Sequence, residues 1–235
     1  MVYLWDASFR EGHEPLFYNW VIVGIDVLSY FSTIQAVIEV IAVMAFAMSG
    51  LIAALRVGMD LVGVCFVAGI TAFGGGTVRD LLLDRRPFFW VEQDYLIWLV
   101  ILLCLLASLI IRRSEVEMTE KWIQVPDSIG LGLFAALGTQ LALFEGTSFI
   151  VAILMGTISS TLGGVLRDIL CNVVPKAFCD HQPYITLAVL GSLIIICFAF
   201  TPVSSEFALL IAIFITTILR LLVISLNLSI PTWRS

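Results

Sequence analysis

Residues 74–87, "GGGTVRDLLLDRRP", return as residues 162–175, "LGGVLRDILCNVVP", at a constant displacement of 88 positions. The same displacement carries Gly50 onto Gly138, Gly58 onto Gly146, Gly75 and Gly76 onto Gly163 and Gly164, Arg79-Asp80 onto Arg167-Asp168, and Pro87 onto Pro175. Glycine, proline and charge held in one register over that length mark a duplication. Both copies are embedded in very apolar sequence. Repeated hydrophobic segments interrupted by glycine are a pointer to a substrate path in membrane transport proteins.

The composition places the chain in a membrane. It is 60% hydrophobic and 13% charged, with mean hydropathy +1.07, outside the range of soluble domains. The net charge of −6 is scattered over loops and helix ends. No basic groove or aromatic stacking platform is present, which argues against nucleic acid as a partner. The start, "MVYLWDASFREGHEP", lacks the basic and apolar regions of a cleavable signal peptide. Cys65, Cys104, Cys171, Cys179 and Cys197 have no metal-ligand or CxxC spacing and read as small hydrophobes. His13 and His181 are isolated, each near a proline.

Seven apolar stretches emerge, at 33–55, 60–82, 95–111, 128–144, 148–170, 184–200 and 206–226. Each is about long enough to cross a hydrocarbon core of ~30 Å as a helix that satisfies its own backbone. The predicted fold is therefore an all-α polytopic membrane protein. It has a lead-in at 1–32 containing an interfacial helix, a three-helix repeat at 33–112, a second repeat at 121–200, and a seventh helix at 206–227. Three is odd, so the second triplet enters the membrane from the opposite side. The repeats are then inverted about an axis in the membrane plane. One set of ends carries Arg56, Arg112, Arg113, Lys121, Lys176 and Arg234, and the other Arg10, Arg85 and Arg86. The richer side should be cytoplasmic, with the N-terminus outside. The six tryptophans mostly flank the spans, as interfacial anchors do.

Two kinds of residue stand out within the spans. Gly74, Gly75 and Gly76 fall late in the second span, and Gly163 and Gly164 in the matching part of the fifth. Glycine costs a helix roughly 1 kcal/mol relative to alanine, so each run predicts a kink or an unwound turn beside a polar path. The alternative is close helix packing through small residues. Flanking hydroxyls, Thr71 and Thr77 in one copy and Ser159, Ser160 and Thr161 in the other, suit a cation path, since hydroxyls and freed carbonyls can replace water around an ion.

The second kind is charge. Arg79 and Asp80 are adjacent and project about 100° apart, so they are not expected to face one another. At about 1.5 Å per residue, Arg79 lies roughly 12 Å from the middle of its span, and Arg167 a similar distance on the other side. The displacement supplies a partner for each, because Glu39 maps onto Asp127. Two equivalent pairs are expected, Glu39–Arg79 at one mouth and Asp127–Arg167 at the other, in preference to arginines snorkelling to headgroups. Asp80 and Asp168 are expected to hold the loops that run to Pro87 and Pro175. Arg220 reads as a snorkelling residue of the last span.

The sequence "FAMSGLIAALRVGMDLVGVCFVAGITAFGGGTVRDLLL", followed by "PFFW", resembles the prokaryotic branch of the trimeric intracellular cation (TRIC) channel family. Bacterial members of that branch are also labelled glycine-transporter-like membrane proteins. The resemblance spans residues 33–226 and implies a homotrimer in a bacterial or archaeal inner membrane. Each protomer would hold its own pore, shaped by Gly74, Gly75, Gly76, Gly163 and Gly164. The implied activity is passive flux of K⁺, with Na⁺ admitted, and no cofactor. Leu162 departs from the triple-glycine pattern, which implies a milder second kink. The basic lipid site of animal members is not recognisable. A carrier for a small amino acid such as glycine is the competing expectation, with Arg79 or Arg167 receiving the carboxylate. An enzyme is not expected, for lack of a nucleophile–base constellation.

Overall fold

The computed structural model describes residues 24–110, 121–179 and 182–228. Among them the chain is helical throughout: α1 (Gly24–Arg56), α2 (Leu61–Leu82), α3 (Phe89–Glu92), α4 (Tyr95–Ile110), α5 (Lys121–Phe144), α6 (Phe149–Leu170), α7 (Lys176–Cys179), α8 (Ile185–Ala199) and α9 (Ser205–Leu226). Five of these are long and apolar enough to cross a membrane, within α1, α2, α5, α6 and α9. The helices at 95–110 and 185–199 are apolar but shorter. At about 1.5 Å per residue they span less than a full hydrocarbon core. The expected seven full-length spans are thus five long helices and two short ones.

The direction of each helix follows from contacts between their ends. Glu39, in the first half of α1's apolar span, meets Arg79 near the end of α2 and Gln93 just before α4. Ser49, ten residues on, meets Ile123 and Asp127 near the start of α5 and Arg167 near the end of α6. Ten residues of helix separate these levels by about 15 Å. Gln93 therefore lies at one end of the bundle and Ile123 at the other, so the chain crosses between them. At the Gln93 end, the Gln140 side chain reaches the Ser205 carbonyl at 3.2 Å, and Phe149 packs on Phe200. α1 and its counterpart α5 run in opposite senses: the repeats are inverted.

Local turns repeat as faithfully as the motifs. Gly58 and Gly146 take left-handed backbone at φ 77° and 74°, and Asp84 and Asn172 do so at 53° and 55°. Each pair is related by the same displacement. Where α1 ends, Met59 N donates to the Ala54 carbonyl, and where α5 ends, Thr147 N donates to that of Ala142. Phe46 and its own counterpart Phe134 stack on each other, ring centroids 5.4 Å apart and 12° from parallel. A residue that touches its own equivalent lies on the pseudo-twofold axis.

The structure departs from expectation in three places. α5 begins at Lys121, not near Ser128, and runs through Pro126. Pro126 is the sixth residue of this helix, so the helix continues without the hydrogen bond that its N–H would give to the Trp122 carbonyl. α1 is continuous from Gly24, so residues 24–32 extend the first helix and do not form a separate lead-in element. The rest of that lead-in, with His13, Arg10 and the start of the chain, lies outside the described residues, as do 111–120, His181 and 229–235. The short helices α3 and α7 were not anticipated at all.

Candidate functional site

At the end of the bundle reached by α2, Arg79 is fully buried. Its Nε donates to Asp80 Oδ1 at 2.8 Å, and Nη2 lies 2.7 Å from the same oxygen. Glu39 Oε1 is 3.8 Å from Nη2, while Glu39 Oε2 accepts from Gln93 Nε2 at 3.1 Å. Asp80 uses its other oxygen, Oδ2, to accept from the Phe89 backbone N–H at 3.0 Å. One acid thus joins the arginine to the start of α3. The Phe89 ring lies 5.5 Å from the guanidinium carbon, and Arg79 Nη1 has no hydrogen-bond partner among the described residues.

The opposite end repeats the design with other neighbours. Arg167 Nε donates to Asp168 Oδ1 at 2.8 Å, and Asp168 Oδ2 accepts from the Lys176 backbone N–H at 3.0 Å. Arg167 Nη1 approaches Asp127 Oδ1 to 2.6 Å and also contacts the Ser49 hydroxyl. That hydroxyl in turn donates to the Ile123 carbonyl at 3.2 Å. Asp127, Gly164, Arg167, Lys176, Ala177 and Tyr184 line a small recess there. Arg220 borders the same recess, 4.9 Å from the Tyr184 ring and 3.3 Å from the Pro183 carbonyl. It is 2% exposed, and a buried guanidinium that shares in the recess is not the snorkelling side chain expected from the sequence.

Burial dictates this economy. An unpaired charge in an apolar interior costs several kcal/mol, and both Arg79 and Arg167 lie against at least one carboxylate. The expectation that neighbouring Arg and Asp turn away from each other is corrected. The 100° step describes Cβ directions, whereas an arginine side chain is long enough to fold back onto the next carboxylate. The adjacent acid is the closer partner of Arg79, and Glu39 is the more distant one.

The glycines bring α2 and α6 together. A Cβ at Gly75 would lie 2.0 Å from the Ser159 carbonyl oxygen, and one at Gly163 would lie 2.4 Å from that of Thr71. These contacts are equivalents of each other, since Thr71 maps onto Ser159. Gly76 faces the Phe89 ring, Gly74 the Leu166 side chain, and Gly164 the Tyr184 hydroxyl. Both helices remain continuous through their glycines, so the unwound turn expected from the sequence is absent. Close approach is the role these positions visibly fill.

The hydroxyls cluster around that crossing. Thr71, Ser159 and Ser160 are fully buried and Thr161 nearly so. Thr71 donates to the Val67 carbonyl at 2.6 Å, Thr77 to Phe73 at 2.7 Å and Thr161 to Thr157 at 2.7 Å, which leaves their lone pairs free to accept. Trp90 Nε1 takes up one such acceptor, Thr77 Oγ1, at 2.9 Å. Ser159 Oγ has no partner among the described residues. Ser49, Gln93, Phe89 and Tyr184 escaped the sequence reading. Only Phe89, inside "PFFW", carried a motif that could have drawn notice. Among the described residues no three His, Cys, Asp or Glu are placed to hold a metal ion.

Inverted three-helix repeats that bury a matching ion cluster at each end define a membrane transport protein rather than a scaffold. The profile of the family described as "Glycine transporter" matches twice, over residues 36–112 and 124–200. The chain belongs to that family, the glycine-transporter-like branch of the TRIC proteins. It is 36% identical over 197 residues to a UPF0126 membrane protein of Vibrio cholerae, covering 83% of this chain and 81% of the relative. It is 29% identical to the inner membrane protein YadS of Escherichia coli, covering 83% and 94%. The fold is similar to a TRIC trimeric intracellular cation channel orthologue from Rhodobacter sphaeroides (TM-score 0.76, 28% identity, 83% of this chain and 100% of that one). It is also similar to a structure concerned with conductance through TRIC cation channels (TM-score 0.74, 33% identity, 85% and 97%).

Proposed function

We propose that this chain is a monovalent cation channel that passes K⁺ and admits Na⁺ along a path inside each protomer of a homotrimer. The observation that carries the reading is the likeness to TRIC cation channels along nearly the whole of both chains. The geometry supports it. The path runs along the α2–α6 crossing, past Thr71, Thr77, Ser159, Ser160 and Thr161, and is shaped by Gly74, Gly75, Gly76, Gly163 and Gly164. Hydroxyl and carbonyl oxygens replace water around the ion there. Arg79 and Arg167 do not repel the cation, because Asp80 with Glu39 and Asp168 with Asp127 surround them with negative charge. In the membrane α4 and α8 complete seven crossings, the N-terminus faces outward and the C-terminus the cytoplasm.

The family's description favours a second reading, a carrier for glycine. In that case Arg79 or Arg167 exchanges a protein acid for the substrate carboxylate. Purified protein in liposomes, given K⁺, Na⁺ and labelled glycine in one assay, separates the two. Rapid, non-saturating K⁺ and Na⁺ flux with unitary current steps in planar bilayers is expected. Saturable glycine uptake without current steps would replace the channel by the carrier.

A further inference from the structure

The two ends differ most at one equivalent position: Phe89 of the first repeat falls on Ala177 of the second. The Phe89 ring is 5% exposed and sits where Gly76 leaves room, since a Cβ there would come within 2.4 Å of it. It packs against Phe73 at 6.2 Å and edge-on against Phe134 at 6.4 Å, with the Arg79 guanidinium at 5.5 Å. Phe134 in turn stacks on Phe46 at the pseudo-twofold axis. From the Arg79 end inward the order is therefore ion cluster, Phe89, then the axial ring pair. At the other end a methyl group stands at the position of the benzyl, the Tyr184 hydroxyl faces Gly164, and a small recess lies between Ala177, Gly164, Arg167 and Asp127.

We propose that Phe89 is the occluding side chain of the conduit, seated on Gly76 so that an aromatic ring closes the Arg79 end where the Arg167 end carries only the Ala177 methyl. The proposal rests on the channel reading above. A dry ring at a constriction excludes water, and without water or oxygen ligands an ion does not pass. The plug is also built to leave its seat. It rides on a helix of four residues, held to the bundle by Phe89 N–H to Asp80 and Trp90 Nε1–H to Thr77. Asp80 serves both the arginine and the plug, so a change in the ion cluster is passed directly to the ring.

The test is K⁺ efflux from liposomes bearing the full chain, with each variant first checked for a single size-exclusion peak matching the wild type. Phe89→Ala is expected to raise efflux by at least about tenfold, as removal of a well-buried ring from a closed state should. Ala177→Phe, which places a ring at the position equivalent to Phe89, is expected to lower it. The double variant is expected to fall between the two. Unchanged efflux in a well-behaved Phe89→Ala protein overturns the plug and leaves the channel standing. If Phe89→Ala does not give the single peak, Ala177→Phe decides alone: lower efflux supports the asymmetry and unchanged efflux overturns it. No cation efflux from wild type or any variant overturns the channel reading, and the plug with it.

Discussion

The Arg79 and Arg167 ends share a backbone design and differ in their surroundings. Each arginine binds the aspartate that follows it, and each aspartate uses its second oxygen to start a four-residue helix. Around Arg167 a second acid lies at 2.6 Å and a serine from the other repeat closes the shell. Around Arg79 the second acid is 3.8 Å away and turned toward Gln93, the position equivalent to Ser49 is Leu137, and Phe89 covers the guanidinium. Inverted duplication thus fixes where the charges sit. A few diverged side chains decide whether an arginine is held tightly by a second acid or loosely beneath an aromatic ring.

The strongest way to break this comparison is to remove the arginines. Arg167→Met leaves Asp127 and Asp168 buried together and should cost about 3–5 kcal/mol. Arg79→Met should cost less, because Glu39 keeps Gln93. Thermal unfolding in detergent measures both, and equal losses would erase the distinction. Next, Asp127→Asn should cost about 1.5–3 kcal/mol, the usual worth of a charged hydrogen bond, and Glu39→Gln under about 1 kcal/mol. A double-mutant cycle with each arginine should give the larger coupling at the Arg167 end.

The glycine crossing should behave alike in both halves. Gly75→Ala and Gly163→Ala each drive a methyl onto a backbone carbonyl and should cost about 1–3 kcal/mol. Gly69→Ala, with nothing within 4 Å of its Cβ, should cost nothing. A large difference between the first two would mean that the crossing is not symmetric. The smallest effect belongs to the surface pair Arg85–Glu145, 3.2 Å apart and 35% and 44% exposed. Glu145→Gln should shift stability by no more than about 0.5 kcal/mol.

Much of this was legible because duplication makes a sequence check itself. One displacement yields the paired helices, the equivalence of Gly58 with Gly146, and that of Glu39 with Asp127, each acid beside its own arginine. Side-chain reach was not legible. Arg79 bends back to Asp80, which periodicity does not encode, and Ser49 sits in an apolar run with no sign that it crosses to Arg167. Glycine runs have two physical uses, weakening a helix and letting two helices touch. The sequence contains both, and only the 2.0 Å and 2.4 Å approaches to carbonyl oxygens distinguish them.

The central claim is that the halves cross the membrane in opposite senses, so that the links at Gly58 and Gly146 emerge on opposite sides. A reporter inserted at each link in turn, scored for cytoplasmic or external location in living cells, tests it directly. Opposite locations are predicted. The same location for both would contradict the inverted repeat and the conduit built on it.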